Sequence, residues 1–315
     1  MAKILTVTLN PALDVTITLD ALRAGHVNRS QGQATHAAGK GLNVAQVLAD
    51  LGNTLTVSGF LGRDNLQPFE ALMQWRGFTD GFIRVPGETR SNLKLVEADG
   101  RVTDVNGQGP EVGEEAQTAL LRRLESLAVG HDAVVVAGSL PRGVSLQWFR
   151  QLLVQLREQG LKVVLDSSGE ALRVGLEATP WLVKPNAEEL ADALGVPLEE
   201  STARRQAVAR LLDQGIEHVV LSQGEEGVSW FSPGHALQAK PPAVRVASTV
   251  GAGDSLVAGM VHGLLSGEPA EQTLRRATAI AAQAVTQVGF GIHDRPQLER
   301  LQAGVQLTSL HEACR

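Results

Sequence analysis

The stretch Ala133-Val134-Val135-Val136-Ala137-Gly138-Ser139-Leu140-Pro141-Arg142-Gly143 decides the architecture. Five consecutive apolar residues without polar alternation need apolar cover on both faces, a condition met inside a parallel sheet sandwiched by helices. The Gly- and Pro-containing loop that follows lies at the carboxyl end of the strand, where open parallel sheets bind ligands. Similar runs recur at Leu55-Thr56-Val57 leading to Phe60, at Leu161 to Leu165, at Trp181-Leu182-Val183 and at Val219-Val220-Leu221. Lys3 to Leu9, stopped by Asn10-Pro11, supplies a first core strand. Helical patterns fill the intervals at Leu42 to Leu51, Glu114 to Leu127, Leu146 to Glu158, Ala187 to Leu194, Thr202 to Asp213, Asp254 to Leu265 and Glu271 to Val288. The expected class is α/β, a layered α/β/α core with a mainly parallel sheet.

Two segments break this pattern. Leu13, Val15, Ile17 and Leu19 alternate with Asp14, Thr16 and Thr18, and Leu93 and Leu95 alternate with Asn92, Lys94 and Val96 before the turn Ala98-Asp99-Gly100. Alternation of this kind belongs to a sheet with one covered face. A single domain spanning 1–315 is expected, with a small β-sheet appendage formed by residues 13–38 and 84–107 and inserted in the core.

Composition narrows the function. The 315 residues are 43% hydrophobic with a formal net charge of -6, and they hold seven Phe, four Trp and no Tyr. An acidic chain with few stacking rings is a poor nucleic-acid binder. The single cysteine, Cys314, cannot close an internal disulfide, and the eight histidines, His311 the last of them, are too widely spaced for a zinc motif. Met1-Ala2-Lys3-Ile4 runs straight into a strand, and no long uncharged apolar stretch follows, so a cytoplasmic location without membrane contact is expected. Gly-x-Ser-x-Gly, a Gly-rich loop ending in Gly-Lys-Ser/Thr, and the dinucleotide glycine pattern after the first strand are all missing.

The chemistry concentrates in a few segments. In Ser248-Thr249-Val250-Gly251-Ala252-Gly253-Asp254-Ser255 two glycines precede a helical pattern, so the amides of Gly251, Ala252 and Gly253 can hold an anion at a helix start. Asp254, in the first turn, can take a proton from an alcohol; the same spacing equally serves as a plain helix cap. Ala37-Ala38-Gly39-Lys40-Gly41-Leu42-Asn43 opens another helix, with glycines that allow close ligand approach and an Asn43 amide suited to hydroxyls. Asp14 suits paired sugar hydroxyls, Arg90 and Lys94 suit a phosphate, and Asn92 accompanies them; surface strands also carry such residues for solvation. Ser139 and Arg142 sit in the loop after Ala137. Asn186 and Glu189 could orient water around a magnesium–phosphate complex or form a capping box. Ser222, Gly224 and Gly227 end another strand and could border a nucleotide.

Together these segments resemble the ribokinase-like (PfkB) carbohydrate kinases, in their phosphosugar-kinase branch. Thr8-Leu9-Asn10-Pro11-Ala12-Leu13-Asp14, Ala38 to Ala45, Gly138 to Pro141, Lys184 to Leu190 and Thr249 to Ser255 carry the resemblance, spread in family order over almost the whole chain. It implies phosphoryl transfer from ATP, with Mg2+, to the free primary hydroxyl of a phosphorylated ketose. Fructose 1-phosphate ranks first as acceptor; fructose 6-phosphate and tagatose 6-phosphate are the alternatives, and a non-catalytic sugar-phosphate sensor is the reading from another class. The resemblance makes Asp254 the base, Gly251 to Gly253 the anion hole, and Asp14, Gly39 and Asn43 sugar contacts. Arg90 and Lys94 become ligands of the substrate phosphate, Lys40 a helper, with Asn92 and Ser139 beside them. Asn186 and Glu189 become the metal-water motif. Lys184, Asn186, Ser222, Gly224, Gly227 and Ser248 fall to ATP, as does Gln283 near the base. The appendage would be a lid over the sugar and the seam of a homodimer.

Overall fold

The structure is a computed structural model that describes residues 1–198 and 200–310, so Cys314 and His311 lie outside the described residues. In chain order the strands are β1 (Lys3–Thr8), β2 (Ala12–Leu19), β3 (Gly32–Ala38), β4 (Thr54–Gly62), β5 (Thr79–Asp80), β6 (Ile83–Val85), β7 (Ser91–Glu97), β8 (Val102–Asn106), β9 (Ala133–Ala137), β10 (Lys162–Asp166), β11 (Leu182–Val183), β12 (His218–Ser222), β13 (Val228–Ser232), β14 (His235–Lys240) and β15 (Gln306–Ser309). The helices are α1 (Lys40–Asp50), α2 (Gln67–Arg76), α3 (Glu114–Ala128), α4 (Leu146–Glu158), α5 (Gly169–Glu177), α6 (Ala187–Leu194), α7 (Ser201–Asp213), α8 (Ala252–Leu265), α9 (Ala270–Ala284) and α10 (Arg295–Gly304).

The large sheet runs β15-β14-β13-β12-β11-β10-β9-β1-β4-β5, with β6 pairing alongside β4. From β5 to β12 every pairing is parallel. Alternate residues of β1 feed two cores: Ile4 packs with α1 and α8, whereas Leu5 and Val7 pack with α3 and α4. This is the layered α/β/α arrangement expected from the apolar runs. β13, β14 and β15 extend the sheet antiparallel, which the apolar runs did not announce. For β13 and β14 the reason is local: Gly224 to Gly227 and Pro233-Gly234 leave too few residues for a crossover helix, and only antiparallel strands join through such short turns, whereas β15 adds to the edge after α8, α9 and α10.

A separate four-stranded sheet, β3-β2-β7-β8, draws its strands from two stretches of chain. Its register puts Asp14, Asn92 and Asn106 in one row and Lys94 beside Asp104 in the next, all on one face, while Val15, Leu93 and Val105 share the other. Among the described residues no helix is long and apolar enough to cross a membrane.

Three helices lie outside the expected helical patterns; α2 and α10 carry little readable periodicity, whereas α5 is amphipathic and buries Ala171, Leu172, Val174 and Leu176. α2 buries only Phe69 and Met73, α10 only Leu301, and α5 contains Gly175, where a Cβ would lie 2.4 Å from a methyl carbon of Leu165. The pattern expected to run helical to Val288 ends at Ala284. The Val285 carbonyl accepts from Ala247 N–H at 2.7 Å and Ser248 N–H at 3.2 Å, so it is withdrawn from the helix to seat the segment ahead of α8.

α8 and α9 cross at small residues. A Cβ on Gly259 would stand 2.5 Å from the Ala277 Cα, and backbone cannot move aside as a side chain can. Gly259→Ala should therefore cost about 1–3 kcal/mol, read as a lower urea midpoint at unchanged m-value; parental stability would mean the helices have room to part.

Candidate active site

A cavity of about 430 Å³ lies between the polar face of the four-stranded sheet and the starts of α1 and α8. Ten of the sequence-derived residues share its wall: Asp14, Gly39, Lys40, Asn43, Arg90, Asn92, Lys94, Gly251, Gly253 and Asp254. Both helices begin without a side-chain cap, α1 on Gly39 and α8 on Gly251, so no side chain of the protein accepts from their first amides where Gly39 and Gly251 line the cavity. Gly251 holds φ at +83°, and a Cβ there would meet the Phe290 ring at 2.9 Å, so neither conformation nor space admits a larger residue. Gly39 and Gly41 have a different cause from the one expected. Cβ atoms there would lie 2.7 Å and 2.4 Å from Thr8 side-chain atoms, so close packing of α1 on the end of β1 demands these glycines as much as any ligand does.

Asp254 is only 5% exposed, and its Oδ2 accepts from Asn43 Nδ2 at 2.8 Å. Burial pushes its pKa up to about 6, and the Asp166 carboxylate adds to the rise; Lys40, the Asn43 bond and Lys184 pull against it. Asp166, at the end of β10 and fully buried, receives Lys40 Nζ and Lys184 Nζ on one oxygen, each at 3.3 Å. Its other oxygen has no partner, and neither does Oδ1 of Asn43. Burial works against the Lys40 charge, yet Asp166, Asp254 and Glu189 outweigh it and raise the ammonium pKa. The sequence reading missed Asp166. Its signal was a carboxylate directly after the apolar run Leu161 to Leu165, at the strand end that faces ligands.

At the other end of the cavity, Arg90 spends its guanidinium on the carbonyls of Asn10, Pro11 and Gly107, at 3.0 to 3.3 Å. Three of its five N–H groups are engaged, which leaves two for a ligand. Lys94 lies 4.0 Å from Asp14 and 3.9 Å from Asp104, so two carboxylates already face the cation assigned to a phosphate. Asn92 Nδ2 donates to Asp14 at 3.1 Å. Asp104 and Asn106 join this wall from β8, and the sequence reading did not single them out.

The remaining sites lie off the cavity wall. Ser139 Oγ accepts from Asn10 at 3.2 Å. Arg142 donates to the Gly109 carbonyl at 2.7 Å, which ties its loop to the segment ahead of α3. Asn186 and Glu189 form a reciprocal capping box at 2.7 and 2.8 Å, the alternative their spacing left open. Ser222 bridges to Asn186, Gly224 opens a short turn, and Gly227 permits contact with the Ala239 carbonyl. Ala252 N–H turns back to the Thr249 carbonyl at 3.5 Å, and Ser248 Oγ caps Val250 N–H at 3.2 Å. Gln283 corrects an expectation. It is 1% exposed and its amide bonds the Asp294 carbonyl and Gln297, so it ties α9 to α10 and presents no surface to a nucleotide.

Two uncapped helix starts facing a buried carboxylate suit transfer of an anionic group to a hydroxyl. The pattern of the pfkB family carbohydrate kinases matches residues 7–297. The chain belongs to the pfkB family. It is 48% identical over 309 residues to the 1-phosphofructokinase of Vibrio cholerae serotype O1, covering 98% of each chain. Its fold is similar to that of phosphofructokinase-2 from Escherichia coli in complex with fructose-6-phosphate, with TM-score 0.86 at 28% identity over 96% of this chain and 99% of that one. The tetrameric inhibited form of the same Escherichia coli protein is similar too, with TM-score 0.86 at 29% identity over the same shares of the two chains. This pfkB chain is thus a carbohydrate kinase with the ribokinase-like fold, and ATP is the co-substrate that kinase membership implies.

A raised carboxyl pKa is also a statement about stability. The folded state binds the Asp254 proton more tightly than the unfolded chain, so stability falls as pH rises from the unfolded value of 3.8 through about 6. Asp254→Asn should melt at a higher temperature than the parent at pH 8, with the gap closing below about pH 4. An equal or lower Tm at pH 8 would mean the carboxylate is held favourably.

Proposed function

We propose that this kinase transfers the γ-phosphoryl group of ATP to the 6-hydroxyl of fructose 1-phosphate, giving fructose 1,6-bisphosphate and ADP. The observation that carries the reading is Asp254, a buried carboxylate with raised pKa, placed in the first turn of α8 and sharing a cavity with Arg90 and Lys94. The acceptor oxygen attacks the γ-phosphorus in line, Asp254 takes the hydroxyl proton, and the bond from phosphorus to the ADP oxygen breaks. Amides of the Gly251 to Gly253 turn and the α8 dipole stabilise charge on the phosphoryl oxygens. Asn43 orients Asp254 through its amide N–H and offers its unpartnered Oδ1 to a sugar hydroxyl, while Asp14 and Gly39 border the sugar. The two free N–H groups of Arg90, with Lys94 and Asn92, receive the sugar phosphate, which competes with Asp14 and Asp104 for the Lys94 ammonium.

Among the described residues no three acidic or histidine side chains converge as a cation cage. That fits a magnesium ion that arrives with ATP and keeps much of its water, since this ion prefers phosphate oxygens and one or two carboxylates. Asp166, with its unpartnered oxygen, and Glu189 with Asn186 behind their water would hold it. The metal supplies charge neutralisation across the phosphates. Lys184 and Lys40 flank the same phosphates, and Ser222, Gly224, Gly227 and Ser248 border the nucleotide.

The name of the Vibrio cholerae relative favours fructose 1-phosphate. The likeness to a fructose-6-phosphate complex supports a second acceptor, a ketose 6-phosphate. The sheet β3-β2-β7-β8 acts in this reading as a lid that excludes water from the transfer. Its other face, the row Val15, Leu93 and Val105 with Val105 52% exposed, pairs with a second copy to make a homodimer in the cytoplasm, where ATP is at hand. Leu93→Glu should shift sedimentation toward monomer; an unchanged dimer would move the seam elsewhere.

ADP formation with MgATP and a panel of fructose 1-phosphate, fructose 6-phosphate, tagatose 6-phosphate, fructose and ribose tests the activity. The highest kcat/KM is expected with fructose 1-phosphate. Preference for a 6-phosphate would change the acceptor alone, and silence across the panel would favour a non-catalytic sensor. Asp254→Asn should lower kcat by about 10²–10⁴-fold, and parental activity would remove the base assignment. The acid limb of kcat/KM should move to lower pH in Asp166→Asn, because the neighbouring negative charge that raises the Asp254 pKa is gone. The substrates' own ionisations are common to both enzymes and cancel in that comparison.

A further inference from the structure

Residues 285–294, between α9 and α10, stand outside the catalytic roles assigned above, yet they press on the turn that opens α8. The Phe290 ring fills the space beside Gly251, where a Cβ would lie 2.9 Å from two ring carbons. The loop bends there through Gly289 and Gly291, with φ of +102° and +114°. Within the loop, Gln287 Nε2 donates to the Gly291 carbonyl at 2.8 Å and His293 Nε2 lies 3.2 Å from the Phe290 carbonyl, but what ties the loop to the rest of the fold beside Phe290 is Asp50, the last residue of α1. One Asp50 oxygen accepts from Ile292 N–H at 2.8 Å, and the other from Arg76 of α2 at 2.6 Å. Its carbonyl accepts from Arg295 at the start of α10, at 2.9 Å. The fit is close: a Cβ on Gly291 would stand 2.6 Å from Asp50 Oδ2. Asp50 and Arg76 are both largely withdrawn from solvent, which makes this a better anchored pair than an exposed ion pair.

We infer that Asp50 is a positioning residue for phosphoryl transfer: it holds the loop 285–294 so that Phe290 fixes the Gly251 turn at the start of α8. The inference rests on the reading of that turn as the anion site. α1 carries Asn43 at its amino end and Asp50 at its carboxyl end, so one rigid helix sets both the partner of Asp254 and the support of the turn. A displaced turn leaves the amides misaimed at charge that develops only during transfer, and the loss then falls on kcat rather than on sugar binding.

The experiment is a double-mutant cycle in the full chain, with Asp50→Asn, Phe290→Ala and the double variant assayed with the best acceptor of the panel. Each single change should lower kcat by about tenfold or more while KM for the sugar phosphate stays within about threefold. The double variant should be little worse than either single one, because both act through the same loop. Phe290→Leu should recover most of the kcat lost in Phe290→Ala. If Asp50→Asn fails to fold, Phe290→Ala and Phe290→Leu, on a half-buried loop residue, still decide whether the ring supports the turn. A Phe290→Ala enzyme with parental kcat, or losses that multiply in the double variant, would overturn the inference. An inactive Asp254→Asn beside parental Asp50→Asn and Phe290→Ala would sink this inference alone, whereas an active Asp254→Asn would sink the reading beneath it.

Discussion

The structure turns on keeping a carboxylate ionisable inside protein. Asp254 is withdrawn from water at the start of α8, where burial alone would favour its neutral form. Two lysines and the Asn43 amide lean toward the charged form, while Asp166 leans the other way and at the same time anchors both lysines. The balance puts the pKa near 6, close to where a proton acceptor works best at neutral pH. An unpaired buried ammonium is costly, and Asp166 pairs both the buried Lys184 and the part-exposed Lys40 beside the site.

That arrangement needs helices that approach closely and begin in the right place. Gly39 and Gly41 let α1 start against Thr8 at the end of β1, so Lys40 and Asn43 reach the cavity from the first turn. Gly259 lets α8 lie on Ala277 of α9. The carbonyl of Val285 leaves α9 to hold Ala247 and Ser248, so the segment ahead of α8 is secured to the same helix that packs along it. Small residues and a spent carbonyl therefore place an acid–amide pair to within hydrogen-bond tolerance.

Much of this was legible in the residues. The apolar runs from Ala133 and Val219 told of strands buried on both faces because no polar alternation interrupts them, and the alternation Leu13 to Leu19 told of a one-sided sheet. The turn before Asp254 fits a plain helix cap equally well, and it pointed to chemistry only together with the other family segments. Asn186 and Glu189 show the limit: their spacing fits a capping box and a metal-water motif equally, and the capping box that forms does not choose between structure and chemistry. Gln283 shows another. The resemblance placed it near the base, yet which side of α9 meets α10 depends on a helix whose single buried residue, Leu301, leaves almost no periodic trace.

By itself, the sequence determined the layered α/β class, most of the helices between the parallel strands and the family motifs, because periodicity and glycine placement are local properties. Tertiary structure alone decided that Asp166 stands beside Asp254, that Asp14 and Asp104 flank Lys94, and that Asp50 reaches Ile292 across 242 residues of chain. Electrostatics depends on distance in space, and chain separation carries no record of it.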